Sequence, residues 1–167
     1  MEELFAFPPK FITVHPTLDN FRKLFKASRS AGIPLSKYVF NSIFITAATV
    51  LLSLLFSTMA AYSLSKLKYK GRSAMLAINE IALMFVAVAV MIPRYLIVNK
   101  LGLIDTYLAE ILPLVPLPVA LFLLKQFTDQ VPDSLIEAAY MDGATEWQIY
   151  FRIILPMVKP AIATATI

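Results

Sequence analysis

Apolar and polar positions along this chain alternate in long blocks rather than in short turns. Residues 39–65 hold no charged side chain over 27 positions, 74–92 hold only Glu80, and 107–124 hold only Glu110, together with Pro113, Pro116 and Pro118. About 20 residues of helix cross the hydrocarbon core of a bilayer, so each run is long enough to span. The first run excludes a buried helix of a water-soluble domain, because it leaves no polar face to meet water. The pattern therefore predicts membrane-spanning helices over 39–65, 74–93 and 106–125, joined by loops at 66–73 and 94–105.

The first span carries a second pattern. Ser42, Thr46, Thr49, Ser53, Ser57 and Ala61 recur at intervals of three and four, while Phe40, Phe44, Leu51, Leu55 and Phe56 lie largely elsewhere. Small residues let helix backbones approach closely in lipid, so the stripe is expected to face neighbouring helices. Ahead of this span, Leu18, Phe21, Leu24 and Phe25 with Arg22, Lys23 and Lys26 make a short amphipathic helix, with Thr17 as its candidate N-cap. Its apolar face suits packing on the protein or lying on a membrane surface. Glu80 and Glu110 each sit within about 10 Å of a span end at 1.5 Å per residue, which suits a structural role near the membrane edge. The three prolines remove backbone donors and are expected to break or kink their helix, as happens where a segment lines a cavity.

Beyond Leu124 the chain turns polar, and residues 126–160 read as a helical hairpin between spans. Leu135, Ala138, Ala139 and Asp142 share one face of its first helix, and Gly143 suits the left-handed residue that ends a helix. Ser134 and Glu137 have capping-box spacing, although Pro132 is an earlier start signal. Thr145 and Gln148 form a second capping box, opening a helix that carries Trp147, Tyr150, Phe151, Ile154 and Leu155 up to Pro156. Such a hairpin is shaped to enter a partner's groove.

Composition agrees with a membrane protein: 59% of the 167 residues are hydrophobic and 16% charged, against about half and a quarter in soluble domains. The absence of cysteine excludes thiolate metal sites and disulfides, and no other metal or cofactor site is expected. The net charge of +4 is scattered between apolar runs, which argues against a nucleic-acid-binding face. Basic residues mark the cytoplasmic side, and Lys66, Lys68, Lys70 and Arg72 crowd the first loop. Yet the 15 lysines and arginines divide almost evenly between the two sides, so charge alone leaves orientation open. No phosphate-cradling glycine loop occurs, so no catalytic residue is expected.

Glu137-Ala138-Ala139, Gly143, Ile153 and Leu155-Pro156 together resemble the signature loop of permease subunits in binding-protein-dependent ABC importers. Asp142, Ala144 and Lys159-Pro160 agree, as do Asn41-Ser42, Tyr62, Lys70-Gly71-Arg72, Ile92-Pro93, Leu101-Gly102-Leu103 and Thr106. The combination is most similar to maltose-type sugar permeases. The resemblance implies an all-α, polytopic membrane protein of the type I ABC importer permease fold, incomplete here: three full spans plus the coupling loop, and the start of a further helix at 161–167. In that family the loop couples the pore to a cytoplasmic ATPase dimer. Glu137 would be the charged contact, Ala138 and Ala139 the close-packing surface and Gly143 the turn. Ile153, Leu155 and Pro156 would hold the second helix to the membrane domain. The implied partners are the ATPase dimer, a second permease subunit, a periplasmic solute-binding protein and the lipid bilayer. The loop would be cytoplasmic and residues 1–38 a periplasmic tail, at a bacterial inner membrane. ATP hydrolysis would belong to a separate subunit, and the solute would be a sugar. A permease for another solute, such as a peptide, amino acid or oxyanion, remains an alternative, as does a scaffold or channel without an ATPase.

Overall fold

The computed structural model describes residues 18–30, 34–86 and 88–166. Every regular element among them is helical. Two compact units are distinguished, residues 1–43 and 44–167. In the first, helix α1 (Asp19–Ser30) carries the predicted amphipathic pattern, and Leu18, Phe21, Leu24 and Phe25 are all exposed. The candidate cap Thr17 lies outside the described residues. Helix α2 (Leu35–Lys66) begins in this unit and continues into the second. Its 32 residues reach about 48 Å at 1.5 Å per residue, well beyond the roughly 30 Å of a bilayer core. Among the described residues it is the one helix that is long and apolar enough by itself to cross a membrane.

The small-residue stripe of α2 is covered only along its second half. Ser53, Ser57 and Ala61 are buried, whereas Ser42 and Thr46 are exposed. Leu51, Leu55 and Phe56 point outward, as the pattern predicts.

The region expected to form one helix over 74–93 is instead two. Helix α3 (Arg72–Met84) and helix α4 (Met91–Lys100) are separated by an irregular stretch that opens at the extended Phe85. Pro93 explains the break. In a continuous helix its missing N–H would leave the carbonyl of Ala89 unbonded and its ring would strike that carbonyl. Restarting at Met91 puts Pro93 in a first turn, where no donor is required. Helix α4 also occupies much of the expected loop 94–105, whose turn follows at Gly102, with φ +68°.

The third apolar run is broken as the prolines predict. Helices α5 (Tyr107–Leu114) and α6 (Pro118–Asp129) meet at a bend of 43°. Leu117 is extended, the conformation imposed on a residue before proline, and Pro118 then opens α6. The bend borders a cavity of about 200 Å³ lined by Phe56, Ser57, Asn79, Pro116, Pro118 and Leu121, among others. Asn79 Nδ2 donates to the Pro118 carbonyl at 3.5 Å.

Five further elements follow: α7 (Asp133–Met141), α8 (Glu146–Ile149), a wide π-helical turn (Tyr150–Ile154), α9 (Leu155–Met157) and α10 (Lys159–Thr166). The second helix of the hairpin thus runs one residue past Pro156 before bending by 68° into α10. Pro156 lies in the first turn of α9, and the wide turn ahead of it releases the carbonyl its ring would otherwise meet. Tyr62, Val131, Ile136, Ile149, Tyr150, Ile154 and Val158 form the main buried cluster. Ala61, Leu124 and Ala161 make a second, in which the small Ala161 lets α10 approach α6 closely.

Candidate functional site

The hairpin of α7 and α8 is built by local signals that the sequence carries. Helix α7 starts after the extended Pro132, and its first turn receives no side-chain cap, so Ser134 and Glu137 do not form their box. At its other end Gly143 adopts φ +76°. Gly143 N–H donates to the Tyr140 carbonyl at 3.0 Å and Ala144 N–H to the Ala139 carbonyl at 2.9 Å, the paired bonds of a Schellman turn. A Cβ on Gly143 would meet nothing within 4 Å. The left-handed backbone, not crowding, is therefore what requires glycine here. Two residues later Thr145 and Gln148 form the predicted box: Gln148 Oε1 accepts from Thr145 N–H at 2.8 Å and Thr145 Oγ1 from Gln148 N–H at 3.4 Å.

The predicted site residues divide into an outward and an inward set. Glu137, Ala138, Asp142 and Gly143 are exposed. Ala139 lies at the edge, half-buried against the main cluster, as do Ile153 and Leu155. Pro156 is exposed. Helix α7 is held mainly by Ile136, the one residue it buries. The outer face therefore presents a carboxylate at each end with a smooth alanine between, while apolar side chains fix the other face.

Three positions of α2, each one helical turn after the last, carry the polar connections to this hairpin. Thr58 Oγ1 and Tyr150 Oη share a hydrogen bond of 2.8 Å. Tyr62 Oη donates to Glu146 Oε2 at 2.6 Å. Lys66 Nζ donates to the Val131 carbonyl at 2.6 Å and pairs with Asp133 at 2.7 Å. Tyr140 donates to the other oxygen of Glu146, and that bond, more than burial, raises the ionisation of the Tyr140 hydroxyl above its usual range. Lys66, itself nearly buried, lowers the Asp133 carboxyl below the ordinary carboxylate range through its hydrogen bond and its charge. Alongside, Ser65 donates to Asp129 Oδ1 at 2.5 Å and Lys125 pairs with Asp129 Oδ2 at 2.6 Å.

Sequence reasoning reached Tyr62 only through the family resemblance and missed Thr58, Lys66 and Glu146 as a set. A signal was present: Thr58, Tyr62 and Lys66 are polar-tipped residues four apart, hence on one face of an apolar helix. Their partners lie 65 to 92 residues away, a separation that no local pattern encodes. No group of three or more histidine, aspartate or glutamate side chains that could hold a metal occurs among the described residues.

With this geometry in place, likeness to known proteins is informative. A family model described as "Binding-protein-dependent transport system inner membrane component" matches residues 53–167. The arabinooligosaccharides transport system permease protein AraQ of Halalkalibacterium halodurans is 38% identical over 151 residues, covering 90% of this chain and 53% of its own length. The trehalose transport system permease protein SugB of Mycobacterium tuberculosis is 32% identical over 160 residues, covering 95% and 57%. The crystal structure of a bacterial ABC transporter involved in the import of the acidic polysaccharide alginate includes a chain similar to this one. Its TM-score is 0.70 at 35% identity, over 75% of this chain and 44% of that one. The chain thus spans about half the length of the curated relatives it matches.

Proposed function

The chain belongs to the family of binding-protein-dependent transport system inner membrane components, and from that membership we propose that it acts as the permease subunit of an ATP-driven ABC importer for a sugar. The observation that carries this reading is the hairpin at 133–157. One face presents Glu137, Ala138 and Asp142 outward, and the other is fixed by Ile136, Ile153 and Leu155. A short rigid helix with a small-residue surface and flanking carboxylates suits insertion into a groove of an ATPase subunit. Gly143 makes the turn that keeps that face clear of the second helix.

In this reading residues 39–65, 74–93 and 106–125 cross the inner membrane, with the hairpin in the cytoplasm and the amino-terminal tail in the periplasm. Two ATPase subunits, a second permease subunit and a periplasmic solute-binding protein complete the importer. ATP hydrolysis belongs to the ATPase subunits, and this chain converts their closure into a change of access through the membrane. A sugar is favoured because relatives of this chain are named for arabinooligosaccharides and trehalose.

Co-purification with the ATPase tests the reading. The wild-type chain, in its full transporter, is expected to retain a nucleotide-binding ATPase, and Glu137→Lys and Gly143→Asp are expected to lose it. An ATPase retained by both variants would overturn the coupling role. ATP-dependent uptake by the reconstituted importer of a peptide or an amino acid, but of no sugar, would overturn the substrate class.

A further inference from the structure

Resting on the coupling role proposed above, we infer that Glu146 is a positioning residue that clamps the coupling hairpin to the first span, so that the two move as one body. Glu146 opens α8 and touches two other segments with one carboxylate. Oε2 accepts a hydrogen bond from the Tyr62 hydroxyl on α2 at 2.6 Å, and Oε1 accepts one from the Tyr140 hydroxyl on α7. Tyr62 is buried and its ring lies 5.8 Å from that of Tyr150, which is bonded to Thr58 one turn earlier on α2. Elsewhere α7 is held by the Lys66–Asp133 pair at its first residue and by Ile136, the one residue it buries.

The physical reason for assigning transmission to this carboxylate is directional. An apolar contact such as that of Ile136 tolerates sliding, because dispersion is non-directional and each atom pair contributes little. A carboxylate bonded through both oxygens fixes distance and orientation, and hydrogen bonds to a charged group are the stronger kind. A push delivered at Glu137 or Ala138 therefore reaches α2 through Tyr140, Glu146 and Tyr62 rather than being absorbed by slippage of α7. The cleft beside the clamp, about 270 Å³, is lined by Tyr62, Glu146, Trp147 and Tyr150, so room exists for the hairpin to shift once the clamp is cut.

The test uses the complete reconstituted transporter in liposomes. The chain has no native cysteine, so Leu51→Cys and Met141→Cys, both at exposed positions, accept spin labels on α2 and α7. In the wild type the label distance is expected to stay single-valued with and without ATP. In Glu146→Ala it is expected to broaden, and stimulation of ATP hydrolysis by the liganded binding protein is expected to fall about tenfold, the scale set by loss of one charge-assisted bond. Glu146→Gln is expected to restore both, since its amide can accept from one tyrosine and donate to the other. A merely structural role would lower the yield of assembled complex while leaving the stimulation per complex and the label distance unchanged, and that result overturns the inference. Glu146→Gln behaving like Glu146→Ala also overturns it. A wild-type transporter into which no ATPase assembles overturns the coupling role and the clamp together.

Discussion

The hairpin with the turns of α2 that meet it, and the helices α3 and α4, are all helical and bury their side chains differently. Around the hairpin, α2 contributes seven buried residues and a polar bond at each of three successive turns. Helices α3 and α4 bury no residue at all, and Met75, Ile78, Ile81, Ile92, Leu96 and Ile97 are exposed. Exposed apolar surface on this scale calls for a medium or partner that is itself apolar. One region is stabilised by bonds within the chain. The other meets the chain at α6 but buries no residue, and so depends on lipid or protein outside it as well.

That contrast can be broken most forcefully at the buried stripe. Ser53→Leu, at a buried position of the stripe, forces in a larger side chain and is expected to cost about 1–3 kcal/mol, read as a lower melting temperature and complex yield. Ser42→Leu, at an exposed position of the same stripe, is expected to be near neutral in that assay. Next comes Gly143→Val, for which the left-handed backbone costs about 1–2 kcal/mol without any steric clash. It should distort the hairpin more than the fold, so ATPase co-purification should fall further than thermal stability does. Tyr150→Phe is expected to cost about 0.5–1.5 kcal/mol in thermal unfolding. The loss stays at that low end because Thr58 keeps its bond to the Leu54 carbonyl at 2.8 Å.

The smallest effect sharpens the comparison through pH. The Lys66–Asp133 pair lowers the folded-state ionisation of Asp133. Its stabilisation is therefore complete above the ordinary aspartate range near 4 and is lost as pH falls through the depressed folded value. Asp133→Asn should be less stable than wild type at neutral pH and indistinguishable from it in strong acid, as measured by thermal unfolding across that window. Ile78→Ser on α3, by contrast, should leave intrinsic stability in detergent nearly unchanged at every pH, since Ile78 is largely exposed.

Legibility in the sequence follows the same divide. The capping box at Thr145, the left-handed Gly143 and the broken third run were all readable, because each depends on residues within a few positions of one another. The split of 74–93 was not read, although Pro93 carried the signal, because hydropathy registers apolar length and ignores the missing amide proton. The shared face of Ala138 and Asp142 followed from helical periodicity, whereas the part assigned to Glu137 rested on the family resemblance. The bonds of Glu146 to Tyr62 and of Lys66 to Val131 and Asp133 were not readable, because they exist only once α2 and the hairpin have met.

The wide turn at Tyr150–Ile154 has a consequence for how this segment tolerates change. In an α-helix, residues five apart are out of phase by about 140°, whereas four apart are nearly aligned. Ile149 and Ile154 are five apart, and both are essentially inaccessible in the same cluster, as is Val158 four further on. The turn thus absorbs one surplus residue, like a dislocation in a screw thread, and brings the far side back into phase. Regularising the turn with every residue kept would rotate Ile154 and Val158 by about 100°, out of their sockets, whereas deleting Arg152 should regularise it with both residues still in place, since Ile149 and Ile154 would then be four apart. The irregular helix, not the regular one, is the geometry that fits.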